Sequence, residues 1–319
     1  MIAYTLRRLG YGAVVMVLVT VLVFVIMRLV PGDAVSLQLQ DTGVSKEEAE
    51  ALRAEFGLDA PVWVQLWDWL RDALHGNLGT SFYGGEPVVG LFLDRVPVTV
   101  QLGLMAMAVG SLLGIAFGVI AAVTRGSAMD GAVRLFAVAF LSVPNFVVAL
   151  LLLTMLALWF AWSPPIVYTG PGEDFASWAQ QVAIPVFALG TGGMAAVARM
   201  TRSSMLESLG SDYIRAVRAK GVRQRTVVLK HALRNSTIAV LTLLGLELAT
   251  VLGGTVIIEQ MFAIPGTGQL IYQAVLDRDY PVVVACTIFY AGLFVITIIL
   301  IDLLYALVDP RIRTGRALS

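Results

Sequence analysis

Long apolar runs alternate with shorter polar segments along the chain. Six runs come close to or exceed the ~20 residues that cross a hydrocarbon core: about 9–30, 98–123, 133–160, 182–200, 237–258 and 282–307. The pattern predicts an all-α polytopic membrane protein with six transmembrane helices and an outer helical segment between the first two. The first run follows Arg7 and Arg8. It is too long for the ~7–15-residue core of a cleaved signal, and no A-x-A-like site follows it. Arg28, at its far end, can snorkel to the interface or meet Asp33. In the second run Gly103, Gly110, Gly114 and Gly118 include small-xxx-small spacings, which let helices approach closely. Pro144-Asn145 lies inside the third run and Pro185 inside the fourth. A proline frees a carbonyl and can kink the helix. Glu247 falls near the middle of the fifth run, and Asp302 near the end of the sixth.

The polar segments differ from one another. Residues 31–96 hold eleven Asp/Glu against four Lys/Arg. Pro31-Gly32-Asp33 makes a turn, and Ser45-Lys46-Glu47-Glu48 resembles a capping box that opens a helix through about Glu55. From Pro61 to Leu74 the spacing predicts an amphipathic helix with Trp63, Trp67 and Leu70 on one face. Such a face suits either a membrane interface or packing on its own protein. A glycine-rich turn follows at His75–Ser81. Residues 161–181 and 259–281 read as outer loops.

The longest polar interruption in the second half has the opposite charge. From Arg199 to Arg234 there are nine Lys/Arg against Glu207 and Asp212. A short helix lies inside it: Ser211 and Asp212 supply N-capping oxygens, and Gly221 supplies the left-handed residue that ends a helix. Tyr213, Ile214, Ala216, Val217 and Ala219 are interleaved with Arg215, Arg218 and Lys220. A helix of this length is marginal alone in water, so it should dock on a partner.

Charge then orients the chain. With both termini in the cytoplasm, sixteen of the twenty-two Lys/Arg lie on the inner side, as the positive-inside rule requires. This divides the chain into an N-terminal span (1–30), an external segment (31–97), a core of five spans (98–310) with an inner loop (201–236), and a cytoplasmic tail (311–319).

The composition is 58% hydrophobic and 14% charged, with one Cys and two His. That excludes an internal disulfide and a thiolate metal cluster. No Walker loop and no H-E-x-x-H motif occurs, so the chain neither binds ATP by a phosphate loop of its own nor carries zinc hydrolase chemistry. A helical bundle passing a solute across a bilayer is the reading from residues alone. It leaves open a pump subunit and a secondary carrier or channel that uses Glu247 as a proton or ion site.

Resemblance narrows this. The basic stretch resembles the cytoplasmic EAA loop of permease subunits of binding-protein-dependent ABC importers. That pattern begins Glu-Ala-Ala and has Gly after three more residues. Here the positions read Arg215-Ala216-Val217 and then Gly221. Ala216 and Gly221 fit, whereas Arg215 and Val217 depart. The Leu-Pro that commonly follows stands as Ile238-Ala239. Further motifs resemble the dipeptide/oligopeptide/nickel subfamily, in order along nearly the whole chain. They include Arg28–Asp33, Gly76–Ser81, Ser142-Val143-Pro144, His231–Asn235, Gly253-Gly254, Pro265–Gly268, Arg278–Pro281 and Asp309-Pro310-Arg311.

The resemblance implies a type I ABC importer permease, the first of two in a di/oligopeptide importer of the bacterial inner membrane. It implies a second homologous permease, two ATPase subunits that carry ATP and Mg, an extracytoplasmic substrate-binding protein, and no nucleic acid. Tyr213, Arg215, Ala216, Val217, Lys220 and Gly221 would then couple to the ATPase. Glu247 and Asn145 are the candidates for the translocation pathway.

Overall fold

The computed structural model describes residues 2–29, 35 and 46–308. Pro31–Asp33, Ser45, the pairing of Arg28 with Asp33, and the tail from Asp309 lie outside the described residues, and the side chain of Asp302 is not described. The described elements are helical: α1 Ile2–Leu29, α2 Lys46–Glu55, α3 Val62–Leu74, α4 Val88–Val123, α5 Ala128–Ser142, α6 Asn145–Phe160, α7 Phe175–Gly210 and α8 Asp212–Ala219. A turn at Gln224–Thr226 and a π-helical stretch Val227–Ala232 lead into α9 Leu233–Met261, followed by α10 Thr267–Leu276 and α11 Tyr280–Val308. Extended pairing among the described residues is limited to one isolated bridge, Thr80 to Pro87.

Four helices hold unbroken spans: Arg8–Leu29, Val88–Val123, Phe175–Gly210 and Tyr280–Ile299. Two bent pairs, Ala128–Ser142 with Asn145–Phe160 and Gln224–Thr237 with Ala239–Leu248, bring the number to six when each is counted as one span. The third expected span is therefore not one helix. Its halves turn through 107°. Val143 is extended (φ −100°, ψ 124°), the conformation a following proline imposes, and Pro144 has no N–H to continue the ladder. The helix that carries the second apolar run is longer than the run itself: α4 starts at Val88 and runs through Pro97, whose missing N–H removes one bond of the ladder. The expected outer loops are partly helical: α7 begins at Phe175, where the Asp174 side chain accepts from the N–H groups of Ala176 and Ser177, and α10 lies within the second.

Two compact units divide the chain. One comprises 1–99 with 264–295, the other 100–263 with 296–319. In the first, Val88, Phe92, Leu270, Ala274, Val282, Val283, Ala285 and Cys286 form a buried cluster. Trp69 Nε1 donates to the Leu78 carbonyl at 3.3 Å, while Trp63 and Trp67 on the other face of α3 are left exposed. Ser81 donates to the buried carboxyl of Asp279, 198 residues away. Burial pushes that carboxyl above its usual range, against the bonds from Ser81 and from the N–H groups of Phe82, Val282 and Tyr83 that pull it down. Arg28 stacks over the Tyr280 ring at 4.3 Å.

The second unit is built around α7, whose membrane window is 72% buried. Its axis lies against α4 at backbone distance. A Cβ added at Gly110 would stand 2.6 Å from the Gly190 carbonyl oxygen, one at Gly114 2.6 Å from that of Met194, and one at Gly118 2.7 Å from that of Ala198. The four-residue glycine spacing serves this contact. At one end Ala122, Met205, Val228 and Ala232 form a second apolar cluster, which seats the π-helical stretch.

Candidate functional site

The polar features of the second unit fall in three places: the α7–α8 corner, the middle of α9, and the start of α5. At the corner, α7 ends at Gly210 and α8 begins two residues later. Ser211 makes the joint. Its hydroxyl accepts from the Ile214 N–H at 3.4 Å and donates to the Ser208 carbonyl at 2.7 Å. Ile214 is fully buried and holds α8 to the unit, while Tyr213, Arg215, Ala216, Arg218, Ala219 and Lys220 are exposed and Val217 is half-buried. Gly221 has φ +77° and donates to the Arg218 carbonyl at 2.9 Å. An added Cβ there would meet nothing. The backbone conformation, not space, is what calls for glycine.

Two side chains expected to face outward also work within the chain. Arg215 pairs with Asp212 one turn back. The Tyr213 hydroxyl is 2.7 Å from His231 Nδ1, with the rings edge to face at 5.8 Å. His231 sits in the π-helical stretch, so this bond ties α8 to the element that leads into α9. Nothing in the local sequence marks that partnership, and the π-helical stretch carries no signal in the apolar pattern. π-Bulges are frequent at functional sites. Beside the pair, Lys230, Arg234 and Asn235 complete a basic hollow of about 400 Å³.

In α9, Glu247 is half-buried, and an added Cβ at Gly193 of α7 would lie 3.4 Å from its Oε2. The cavity beside it holds about 10 Å³, about the room for one water molecule, so within this chain it is no substrate pocket. The Asn145 amide is 2.8 Å from where a Cβ of Gly254 would stand. Asn145, at the start of α6, thus meets α9 at the level of Gly254, two turns from Glu247, and the two are not brought into a single site.

At the start of α5 the Ser127 hydroxyl caps the helix by accepting from the Asp130 N–H. Asp130 is 1% exposed and accepts from Arg202 Nε and Nη2 at 2.7 and 2.9 Å. The Gly126 N–H donates to the same carboxylate at 3.0 Å. This bidentate pair joins α5 to α7 across 72 positions of sequence, and the apolar pattern offers no sign of it. No cluster of three or more His, Cys, Asp or Glu that could hold a metal occurs among the described residues.

Comparison with known proteins matches residues 114–314 to the family of binding-protein-dependent transport system inner membrane components. Residues 1–103 match the N-terminal model of such membrane components. A Brucella abortus (strain 2308) protein named a peptide transport system permease is 41% identical over 313 residues, covering 98% of this chain and 99% of the relative. The dipeptide transport system permease protein of Lactococcus lactis subsp. cremoris is 38% identical over 314 residues, covering 98% of this chain and all of the relative. A crystal structure of an amino acid ABC transporter with histidines superposes with a TM-score of 0.52 at 17% identity, over 70% of this chain and 94% of that one. That likeness shows the shared fold.

Proposed function

The chain belongs to the binding-protein-dependent transport system inner membrane components, and from that premise we propose which of its parts do the work. It is a non-catalytic permease subunit of an ABC peptide importer. Family membership favours this over a secondary carrier driven through Glu247. A second homologous permease completes the pathway, two ATPases hold ATP and Mg on the cytoplasmic side, and an external binding protein delivers the peptide. Both termini and α8 lie in the cytoplasm.

The observation that carries the reading is α8 itself. It is a helix capped at both ends, anchored by one buried residue and exposed on most of its surface. It seats in a groove of an ATPase. Ala216 and Val217 give a low-profile contact, Arg218 and Lys220 give charge complementarity, and Gly221 turns the chain back. The Tyr213–His231 bond passes displacement of α8 directly to α9, which carries the proposed pathway residue Glu247 and meets Asn145 near Gly254. Closure of the ATPases moves α8 and switches the spans between inward- and outward-open states.

Gly221→Asp tests this. Asp is among the residues that tolerate left-handed backbone best, and the space beside Gly221 is open, so the chain should insert and fold. Peptide uptake and ATPase recovery should be lost, whereas Gly221→Ala controls for strain alone. Uptake near the wild-type rate in Gly221→Asp would overturn the docking assignment.

A further inference from the structure

We propose that a cleft between α5, α7 and α9 binds the phosphate headgroup and upper acyl chain of an anionic phospholipid. Arg134, Arg199 and Arg202 stand at one end of this cleft of about 620 Å³, and Val138, Leu141 and Leu243 line it deeper. The inference rests on the family reading only for the side of the membrane concerned.

Charge identifies the head. Three guanidinium groups line the cleft, and Asp130, the carboxylate that Arg202 and Arg134 meet, balances one of them, leaving two positive charges in excess. Asp130 fixes Arg202 through Nε and Nη2, so the remaining N–H groups of that fork stay available. Arg134 is 3.6 Å from the same carboxylate through Nε, with 59% of its side chain exposed. Arg199 and Ser203 are also exposed. Planar guanidinium forks suit phosphate oxygens better than point charges do.

Shape identifies the tail. From Arg134 to Leu141 is seven residues of α5, or about 10 Å at the helical rise. Val138 and Leu141 are left exposed along that length, and so is Met200 beside Arg199 on α7. A free anion would satisfy the arginines and leave this apolar wall wet. An amphiphile covers both. Basic pockets between spanning helices on the cytoplasmic side are where anionic headgroups are held.

The test uses the assembled complex in nanodiscs of phosphatidylcholine with a minor fraction of phosphatidylglycerol, and counts retained lipid by native mass spectrometry. Arg134→Gln with Arg199→Gln leaves the Asp130–Arg202 pair intact. The double variant should retain phosphatidylglycerol about thirty-fold less tightly, at the attraction typical of each basic residue near an anionic surface. Arg71→Gln, on the outer segment, should retain it as wild type does. Equal retention in wild type and double variant overturns the proposal. So does displacement by millimolar inorganic phosphate alone, which would make the cleft an anion site without a lipid tail, and so does a second permease seated over the cleft. Recovery of the ATPases in the same preparation reports the importer reading separately, whatever the lipid result.

Discussion

Single residues here act through where they are placed rather than through reactivity. Glu247 is the clearest case. A carboxylate at the centre of a spanning helix costs several kcal/mol (roughly 2.5–3.5 for Asp on insertion scales), so its presence there argues for a polar duty. Glu247→Gln separates charge from polarity: reduced uptake with normal expression is expected if the pathway uses the charge. Asp279 gives a pH effect of defined sign. Burial raises its pKa above 3.8, so the folded protein holds this proton where the unfolded chain releases it. Its stabilising contribution is therefore present below 3.8 and is lost as pH rises through the folded-state value. Thermal unfolding of the purified chain should show this slope, and Asp279→Asn should flatten it. Tyr213→Phe removes one hydrogen bond, typically ~0.5–1.5 kcal/mol net. Uptake should fall several-fold while ATPase recovery persists, since the variant breaks the strut to His231 and leaves the docking surface in place.

At the scale of elements, α4 and α7 meet without side chains between them. Gly110→Val would drive a branched side chain into the Gly190 backbone, and overpacking of this kind costs typically 1–3 kcal/mol. A lower yield of monodisperse protein and a lower melting temperature are expected, whereas Gly131→Ala, with nothing near its Cβ, should be silent. The expectation of close packing was legible because the spacing of Gly110, Gly114 and Gly118 is local. The break at Pro144 was legible as a kink but not in size. Proline removes the hydrogen bond, and the extended Val143 then lets the halves diverge to whatever angle their packing allows. The ten residues by which α4 precedes its apolar run were not legible, because Pro97 and the charges of Asp94 and Arg95 look like a boundary in a hydropathy window, although the helix holds all three.

For the whole molecule, topology is the testable quantity. In a Cys286→Ala background, which removes the chain's buried free thiol, Asp59→Cys should react with an impermeant maleimide on intact cells. Gln224→Cys should react only after lysis. The reverse pattern would invert the assignment and place α8 away from any ATPase. Pull-down from mild detergent should bring a second permease and ATPases whose turnover is sensitive to vanadate.

Apolar periodicity, charge asymmetry and capping residues act over a few neighbouring positions. They therefore determined the helical class, the long apolar helices and the limits of α8 without reference to the rest of the chain, and the family followed from the resemblance of short motifs. The pairings were decided only in three dimensions. Ser81 with Asp279, Asp130 with Arg202 and Tyr213 with His231 join positions whose local sequences say nothing of each other. So do the cleft beside Arg199 and the separation of Glu247 from Asn145. The physical reason is that lipid rewards every apolar helix face alike, so hydropathy identifies a span but not its neighbour. Which helices touch, and which buried polar groups thereby satisfy one another, follows from the close packing of backbones and side chains far apart in the chain.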